Sequence, residues 1–466
     1  MTKSQEYRIE NDSLGQVKVP IDALWQAQTQ RSLENFPTGS KMPLSLIRAL
    51  LLLKKTASET NYELKQLEFD KAEAISKAVV ELLRLPDEQL QKAFPLSIYQ
   101  TGSGTQTNMN VNEVIATVAS RESELDILPN DDVNCAQSSN DIFPTAMNIV
   151  AVEALKNLEN SLHHLIETLR LKQDDFWTTL KVGRTHLQDA TPITFGQELS
   201  GYISALKHDL SYIEQLRPTL YELAIGGTAV GTGLNASPDF SEGVTARLAD
   251  AYGIPFSAKS NKFFGLAHHS GLNVVHGAIE TLAADLLKIA NDIRFLASGP
   301  RAGYGELKIP ANEPGSSIMP GKINPTQAEA LTMAVLRVFG NDTTIGMASS
   351  QGNFEMNVYK PVLIASFLES AELLTGTITA FTDKMIAGLT VNSKRMEDLL
   401  ENSLMTVTAL SPHIGYHAAA EIAQKAEREN TTLRSAALAS GLVNAEDFEK
   451  WMDLAAMTNL ERSEKE

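Results

Sequence analysis

The sequence predicts a mostly α-helical protein built around a bundle of five long helices. In the middle of the chain, apolar residues recur at steps of three and four, which is the period of a helix with one buried stripe. Strand patterns are sparse throughout. The 466 residues, 43% of them hydrophobic, suffice for a sizeable core. The stripe is clearest at Leu199, Tyr202, Ile203, Leu206, Leu210, Ile213, Leu216 and Leu220, and again at Leu272, Val275, Ile279, Leu282, Leu286, Ile289, Ile293 and Leu296.

Three domains are predicted along the chain. Residues 1–137 mix short, mainly helical elements with turns such as FPTGSKMP. Residues 138–393 carry the two striped segments and three more long helices, which follow Ile142, Gln327 and Tyr359. Several of the five have apolar residues on more than one face, so we expect the bundle to bury surface against copies of itself. Residues 394–466 return to short patterns and predict a small helical C-terminal domain.

The composition argues against several classes of partner and cofactor. A formal net charge of -17 disfavours nucleic acids and anionic membranes, because phosphate contacts need a basic face. Cys135 is the only cysteine, so no intrachain disulfide can form and a reducing compartment is favoured. The N-terminus lacks the apolar run of a signal peptide, and no window reaches the roughly 18 uninterrupted apolar residues of a membrane span. We therefore expect a soluble, cytoplasmic protein without a membrane partner.

One loop, GSSIMPGKINPTQAEA from Gly315, carries an unusual density of polar side chains before a predicted helix. It has a purely structural interpretation, in which Asn324 caps the helix and Pro325 takes the first helical position. It fails as a phosphate-binding loop, because five residues instead of four separate its glycines and Ile323 replaces the Ser/Thr that would hold magnesium. Two other glycine-rich stretches fail as dinucleotide motifs, so no nucleotide cofactor is predicted.

Four loops share the same design, with small hydroxyl and amide side chains followed by a helix. Helix N-termini present free N–H groups and a partial positive charge, which makes them potential anion sites. Several such loops around one cleft, with Lys322 as a cation, would hold a small dicarboxylate despite the acidic composition. For any single loop, helix capping is the simpler explanation. The loops are TGSGTQTN from Thr101, QSSNDIFPT from Gln137, GRTHLQDATP from Gly183 and GSSIMPGKINP from Gly315.

Among nine histidines, His186 alone lies inside one of these loops, which makes it a candidate acid–base group. The pairs His163-His164 and His268-His269 lack the spacing of metal sites, and we interpret them as structural or surface residues. No metal site is predicted.

At this point the residues resemble a known family. GSSIMPGKINP is similar to the signature of the fumarase/aspartase superfamily, whose members make or break a bond beside a carboxylate by elimination. The resemblance extends over nearly the whole chain, through RIENDSLGQVKVPIDALWQAQTQRSLENF, TGSGTQTNMNVNEV, NCAQSSNDIFPTAMNI, KVGRTHLQDATPITFGQE and AIGGTAVGTGLN. The continuation KINPTQAEA resembles class II fumarases, whereas aspartases typically carry Val-Val-Pro after the Asn-Pro.

The resemblance implies that Ser316 is the base that removes a proton from the carbon next to a carboxylate. A serine hydroxyl needs help to ionise, and Lys322 with the loop N–H groups is the expected source. The charge that develops on the carboxylate needs preorganised donors, and Lys322, Asn324 and Ser317 are expected to supply them.

The resemblance also implies that His186 protonates the departing hydroxyl, or activates water in the reverse direction. Glu329 would orient that imidazole or its water; its simpler interpretation is a favourable charge near a helix N-terminus. The residues expected to bind the substrate are Ser103, Gly104, Thr105, Ser138, Ser139, Asn140, Thr185, Ser317, Lys322, Ile323 and Asn324.

The family architecture implies a homotetramer in which four bundles form a twenty-helix core and each site draws loops from three subunits. It implies no cofactor. Its class II members often carry a peripheral anion site read as His-Pro-Asn-Asp. Here Leu128 replaces the histidine before Pro129, Asn130 and Asp131, so we predict weak anion binding or none at this position.

Two other functions stay open from the sequence. An aspartate ammonia-lyase would differ in the pocket that receives the amine. A catalytically inert structural member of the superfamily would not need Ser316, Lys322, Asn324, Glu329, Thr185 and His186 together. For Cys135, a small apolar filler is the expected role.

Overall fold

The computed structural model describes residues 6–463 and confirms a mostly α-helical fold, with 64% of the residues in helices. The helices are α1 (Ala27–Asn35), α2 (Leu44–Glu63), α3 (Phe69–Arg84), α4 (Asp87–Ala93), α5 (Thr105–Ser123), α6 (Ser139–Asp175), α7 (Phe195–Leu216), α8 (Phe240–Tyr252), α9 (Lys262–Ala267), α10 (Ser270–Leu296), α11 (Thr326–Ser349), α12 (Lys360–Phe381), α13 (Ser393–Asn402), α14 (Ser411–Ile414), α15 (Tyr416–Glu429), α16 (Leu433–Ala439), α17 (Ala445–Trp451) and α18 (Leu454–Met457).

The strands of the described residues form four two-stranded sheets. They are β1 (Tyr7–Asp12) with β2 (Gly15–Pro20), β3 (Leu180–Thr185) with β4 (Gln188–Thr194), β5 (Glu222–Leu223) with β6 (Ser257–Ala258), and β7 (Leu307–Lys308) with β8 (Thr390–Val391). The β5–β6 pair is parallel and the other three are antiparallel. The strands therefore form two hairpins and two short pairs between segments distant in sequence, and the helices supply the framework.

The five predicted long helices are α6, α7, α10, α11 and α12, with 37, 22, 27, 24 and 22 residues. Helix α7 ends at Leu216 because Pro218, which has no N–H to donate, lies in the following 3₁₀ turn, Arg217–Leu220. The segment Lys360–Ile386 has the length and composition of a membrane-spanning helix, and half of its most apolar window is buried inside the structure. Core helices of other proteins share these properties.

The chain folds into two compact units. The first comprises residues 6–158, Tyr212–Glu280 and Leu336–Leu373. In its core α2 packs on α3 and α8, and α5 packs on α1 and α3. The unit also contains fully buried aromatic side chains. These are Phe94, Phe143, Phe240 and Phe367.

The second unit comprises Glu159–Ser211, Thr281–Val335 and residues 374–463. In this unit the β3–β4 hairpin packs on α13, and the C-terminal helices form a small core of their own. That core contains Leu410, Ile422, Leu433, Ala437 and Phe448, which are nearly or fully buried. The division into domains at residues 137 and 393 stays a prediction.

Candidate active site

The turn Thr101–Gly104 leads directly into α5 and presents two hydroxyl groups. Ser103 Oγ and Thr105 Oγ1 lie 2.8 Å apart and share a hydrogen bond. The turn depends on its glycines, because a Cβ on Gly102 would lie 1.4 Å from the carbonyl oxygen of Val358. Gly104 has φ 78°, a left-handed conformation that favours glycine. The α5 N-terminus can therefore offer Ser103 and Thr105 beside its free N–H groups.

A second turn, Ser138–Asn140, opens α6 in the same unit. The carboxylate of buried Asp141 accepts hydrogen bonds from the backbone N–H groups of Ser138, Gly226 and Thr228, at 2.9 to 3.0 Å. The Asn140 amide donates to the Ala229 carbonyl at 2.7 Å. These bonds fix the turn against the glycine-rich segment near Gly226.

The first unit brings these two turns together. Asn108, one turn into α5, donates through Nδ2 to Ser139 Oγ at the start of α6, at 3.0 Å. Ser139 is only 9% exposed. The first turns of α5 and α6, with their neutral donors, therefore lie next to each other, and the convergence of all four loops on one cleft stays a prediction.

Two buried lysines lie near these turns, and neither is among the site residues predicted from the sequence. Lys54 and Lys360 have no exposed surface, and burial lowers the pKa of each to about 7, while the charge of Asp141 acts in the opposite direction. The N–H of Lys360 donates to the Gly102 carbonyl at 3.0 Å. A signal existed for Lys54, because it continues the four-residue spacing of buried Leu46 and Leu50 on α2.

His186 lies at the tip of the β3–β4 hairpin, in the second unit. Thr185 pairs with Gln188, so His186 and Leu187 form the two-residue turn, and their φ values are 56° and 59°. Two positive φ values are the requirement of a type I′ hairpin turn. Thr185, His186 and Leu187 are all exposed, and the turn presents the imidazole at a cavity of about 860 Å³.

Ion pairs hold this hairpin from below. Glu306 is fully buried; its carboxylate lies 2.5 Å from Arg184 Nη2 and 3.6 Å from Lys181 Nζ. Lys181 also lies 2.7 Å from Glu198 Oε2. The Arg184 guanidinium stacks over the Tyr304 ring at 4.5 Å. Both cations come from β3, so this cluster sets the position of the His186 turn.

The loop from Gly315 to Asn324 also belongs to the second unit. It is closed by two hydrogen bonds, from Gly315 N to the Lys322 carbonyl at 2.9 Å and from Asn324 Nδ2 to the Gly315 carbonyl at 2.7 Å. Inside it, Ser316 Oγ accepts from the N–H groups of Ile318 and Met319, at 3.2 and 3.0 Å. Two donors on one hydroxyl oxygen favour its ionised form.

The capping interpretation of this loop is wrong in detail. Helix α11 begins at Thr326, so Pro325 precedes the helix, and the Asn324 side chain closes the loop instead of capping. Ser317, Lys322 and Ile323 are exposed, and Lys322 and Ile323 line a cavity of about 570 Å³. Glu329 lies exposed in the first turn of α11, as expected. His186 and Lys322 line different cavities of this unit.

The predicted peripheral position, at Leu128, opens a π-helical turn, Pro129–Val133. The Leu128 N–H donates to Asp132, whose carboxylate also pairs with Lys71 at 2.8 Å. Asn130 and Asp131 are exposed. Weak anion binding here stays a prediction.

Cys135 is partly buried, and burial raises the pKa of its thiol. A raised pKa disfavours the reactive thiolate.

His276 forms a second arrangement that resembles catalytic machinery. Its Nδ1 lies 2.7 Å from Asp342 Oδ1 and its Nε2 lies 2.9 Å from Ser370 Oγ. His276 and Ser370 have no exposed surface, and Ser370 Oγ also donates to the Ser366 carbonyl. A substrate cannot reach this serine, so the three side chains connect α10, α11 and α12 as a structural network.

Comparison with known proteins identifies the family. A family model described as lyase matches residues 15–340, and one described as fumarase C C-terminus matches residues 407–459. The class II fumarate hydratase of Halalkalibacterium halodurans is 54% identical over 459 residues, which cover 97% of this chain and 99% of that protein. The class II fumarate hydratase of Oceanobacillus iheyensis is 51% identical over 460 residues, with coverage of 97% and 99%.

Solved structures agree with the sequence relatives. The class II fumarase of Schistosoma mansoni superimposes with a TM-score of 0.93 at 42% identity and covers 97% of this chain and 99% of its own. A fumarate lyase:delta crystallin from Brucella melitensis gives a TM-score of 0.92 at 36% identity, with coverage of 97% and 100%. The fold and the loops define a lyase of the fumarase/aspartase superfamily. Within that superfamily, the chain belongs to the class II fumarate hydratase family.

Proposed function

We propose that this chain is a fumarate hydratase, which interconverts fumarate and (S)-malate through the side chains of its four polar loops. The observation that carries the proposal is the Ser316 hydroxyl, whose oxygen accepts two backbone N–H groups within the closed loop. Such a hydroxyl is poised to lose its proton and to act as a base. The near full-length similarity to class II fumarate hydratases supports the same reaction.

In the direction from malate, the Ser316 alkoxide removes a proton from the carbon beside one carboxylate. The electron pair moves into that carboxylate, where Lys322, Asn324 and Ser317 stabilise the extra charge. The pair then forms the double bond as hydroxide leaves the adjacent carbon, and His186 gives a proton to the departing hydroxide. Fumarate and water are the products. Glu329 orients the imidazole or its water.

The first unit supplies side chains that would bind the substrate. The hydroxyls of Ser103, Thr105 and Ser139 lie at two helix N-termini, where donors and partial positive charge favour a carboxylate. Neutral donors of this kind suit a dianionic substrate on a protein of net charge -17. A homotetramer with each site assembled from three subunits completes the proposal, together with a cytoplasmic location and a place in the citric acid cycle.

The first test is the Ser316→Ala substitution, followed by the ultraviolet absorbance of fumarate with malate as substrate. We expect kcat to fall by roughly a hundredfold or more, because the substitution removes the group that is proposed to take the proton from the substrate carbon. Ser440→Ala, an exposed serine outside the loops, serves as the matched control and should keep full activity. Unchanged turnover in Ser316→Ala, or faster turnover of aspartate than of malate in the wild type, would contradict the proposal.

A second experiment tests the shared sites. Ser316→Ala and Ser139→Ala subunits are purified separately, unfolded together and refolded as mixed tetramers. If each site combines residues from different subunits, some sites in the mixture receive both intact residues and activity returns. Refolding each variant alone is the control. Mixed tetramers that stay as inactive as the parents would show that each chain carries a complete site.

A further inference from the structure

We propose that Lys54, on α2, is a positioning residue for the substrate, acting through Asn134 and Asn108 on the hydroxyl of Ser139. This inference rests on the proposed function, in which Ser139 binds a carboxylate. Lys54 lies outside all the loops that the family resemblance singles out, and it has no role in the proposed reaction steps.

The geometry begins at the buried ammonium. Lys54 Nζ donates to Asn134 Oδ1 and to Gln137 Oε1, both at 2.8 Å. An ammonium can only donate, so both amides must turn their oxygens towards it. Asn134 and Gln137 lie in the segment that immediately precedes Ser138–Asn140. The buried Lys54 nitrogen therefore sets the orientation of two side chains in this approach to α6.

The orientation passes on to α5. Asn134 Oδ1 also accepts from Asn108 Nδ2 and Asn112 Nδ2, each at 3.2 Å. A flipped Asn108 amide would place its own oxygen against Asn134 Oδ1, which is electrostatically unfavourable. The Asn108 amide therefore keeps its Nδ2 directed at Asn134 Oδ1. The second N–H of the same nitrogen donates to Ser139 Oγ at 3.0 Å.

This bond decides what Ser139 can offer. A hydroxyl has one proton and two lone pairs, and Asn108 occupies one of the lone pairs. Within residues 6–463 no acceptor takes the Ser139 proton, so it is available to a ligand carboxylate. A serine that donates to a carboxylate forms a charge-assisted hydrogen bond, which is stronger than a neutral one.

The electrostatics of Lys54 also need an explanation. It has no exposed surface and forms no ion pair among the described residues; Asp141 acts on it only at longer range. A buried ammonium without an ion pair is costly, and an apolar side chain of similar length would be cheaper at this position. Stability alone therefore does not account for a lysine at position 54. A role in placing the hydrogen-bond donors of an anion site accounts for it.

The experiment is a double-mutant cycle between Lys54→Met and Ser139→Ala, read as KM and kcat for malate. We expect Lys54→Met to raise KM about tenfold with kcat within about threefold, because a binding interaction shared by ground and transition states is lost. In the Ser139→Ala background the same change should raise KM no further, because Lys54 acts through that hydroxyl. Lys55→Met, which removes the neighbouring ion pair with Glu59, is the matched control and should leave KM unchanged.

Asn108→Leu offers a second route if Lys54→Met does not fold. It removes the donor to Ser139 while Lys54 stays, and should reproduce the KM increase and its loss in the Ser139→Ala background. A folded Lys54→Met with unchanged KM, or a KM increase that multiplies with that of Ser139→Ala, would overturn the inference. A wild type without turnover of malate would instead contradict the proposed function. The same double-mutant cycle would then be measured as the dissociation constant of fumarate by calorimetry.

Discussion

At the scale of single residues, the structure places backbone strain where the proposed acid lies. His186 and Leu187 both have positive φ values, although neither is the glycine or asparagine that such turns favour. Left-handed conformations cost a non-glycine residue about 1 to 2 kcal/mol each. The hairpin tolerates this cost because the cluster of Glu306, Arg184 and Lys181 holds its base.

Burial makes Lys54 a reporter of pH-dependent stability. Its pKa is about 7 in the folded chain against 10.5 for the free group, so between these values the unfolded chain binds the extra proton. Stability gained from this residue therefore rises with pH, by up to about 1.4 kcal/mol per pH unit. We expect the unfolding free energy of the wild type, minus that of Lys54→Met, to rise from pH 7 towards pH 10.

Urea denaturation of both proteins at several pH values measures this difference. Lys360, whose pKa is shifted in the same direction, is present in both proteins, so its contribution largely cancels. A difference that stays flat across this range would show that Lys54 keeps its proton in the folded protein.

At the scale of elements, short hairpins and loops supply the second unit's part of the proposed chemistry, and long-range ion pairs position them. The β3–β4 hairpin carries His186, and the buried carboxylate of Glu306 comes from a segment more than 100 residues later. The closed loop before α11 is different, since the hydrogen bonds that shape it join residues at most nine positions apart. It is therefore a locally encoded element.

The Glu306→Gln substitution tests the support of the hairpin. It leaves the partly buried Arg184 beside a neutral amide and weakens the ion pair with Lys181, so we expect a loss of about 3 kcal/mol in unfolding free energy. A loosened hairpin should also lower kcat, because His186 is misplaced. Glu167→Gln, in an exposed pair with Arg170, is the control and should leave the unfolding free energy nearly unchanged, because solvent screens an exposed pair. Equal effects of the two substitutions would contradict this account.

At the scale of the whole molecule, the long helices retain apolar side chains that the single chain does not cover. On α11, Met333, Leu336 and Met347 are 62 to 65% exposed, while Leu331 and Val335 are fully buried. Apolar surface on two faces of one helix is typical of helices that pack on further subunits. This agrees with the proposed homotetramer, whose core would bury these side chains.

Leu336→Glu tests this assembly. A charge at an apolar subunit contact should dissociate the tetramer, because the carboxylate cannot be buried unpaired. We expect sedimentation velocity to show smaller species, and malate turnover to fall in proportion to the tetramer lost. Leu14→Glu, at a side chain that is 79% exposed in the β1–β2 turn, should change neither. A fully active monomeric fraction would contradict both the tetramer requirement and the shared sites.

The sequence by itself determined the mostly α-helical class, the long helices and the loops that carry Ser103, Ser139, His186 and Ser316. These features depend on periodicity and on contacts between near neighbours, which a linear pattern records. It did not reveal Lys54 or Glu306 as organising residues. Their roles arise from pairs 80 or more residues apart, such as Lys54 with Asn134 and Glu306 with Arg184. Only the tertiary structure decides such pairs, because burial removes water as a partner and nearby groups must then satisfy the polar end of the side chain.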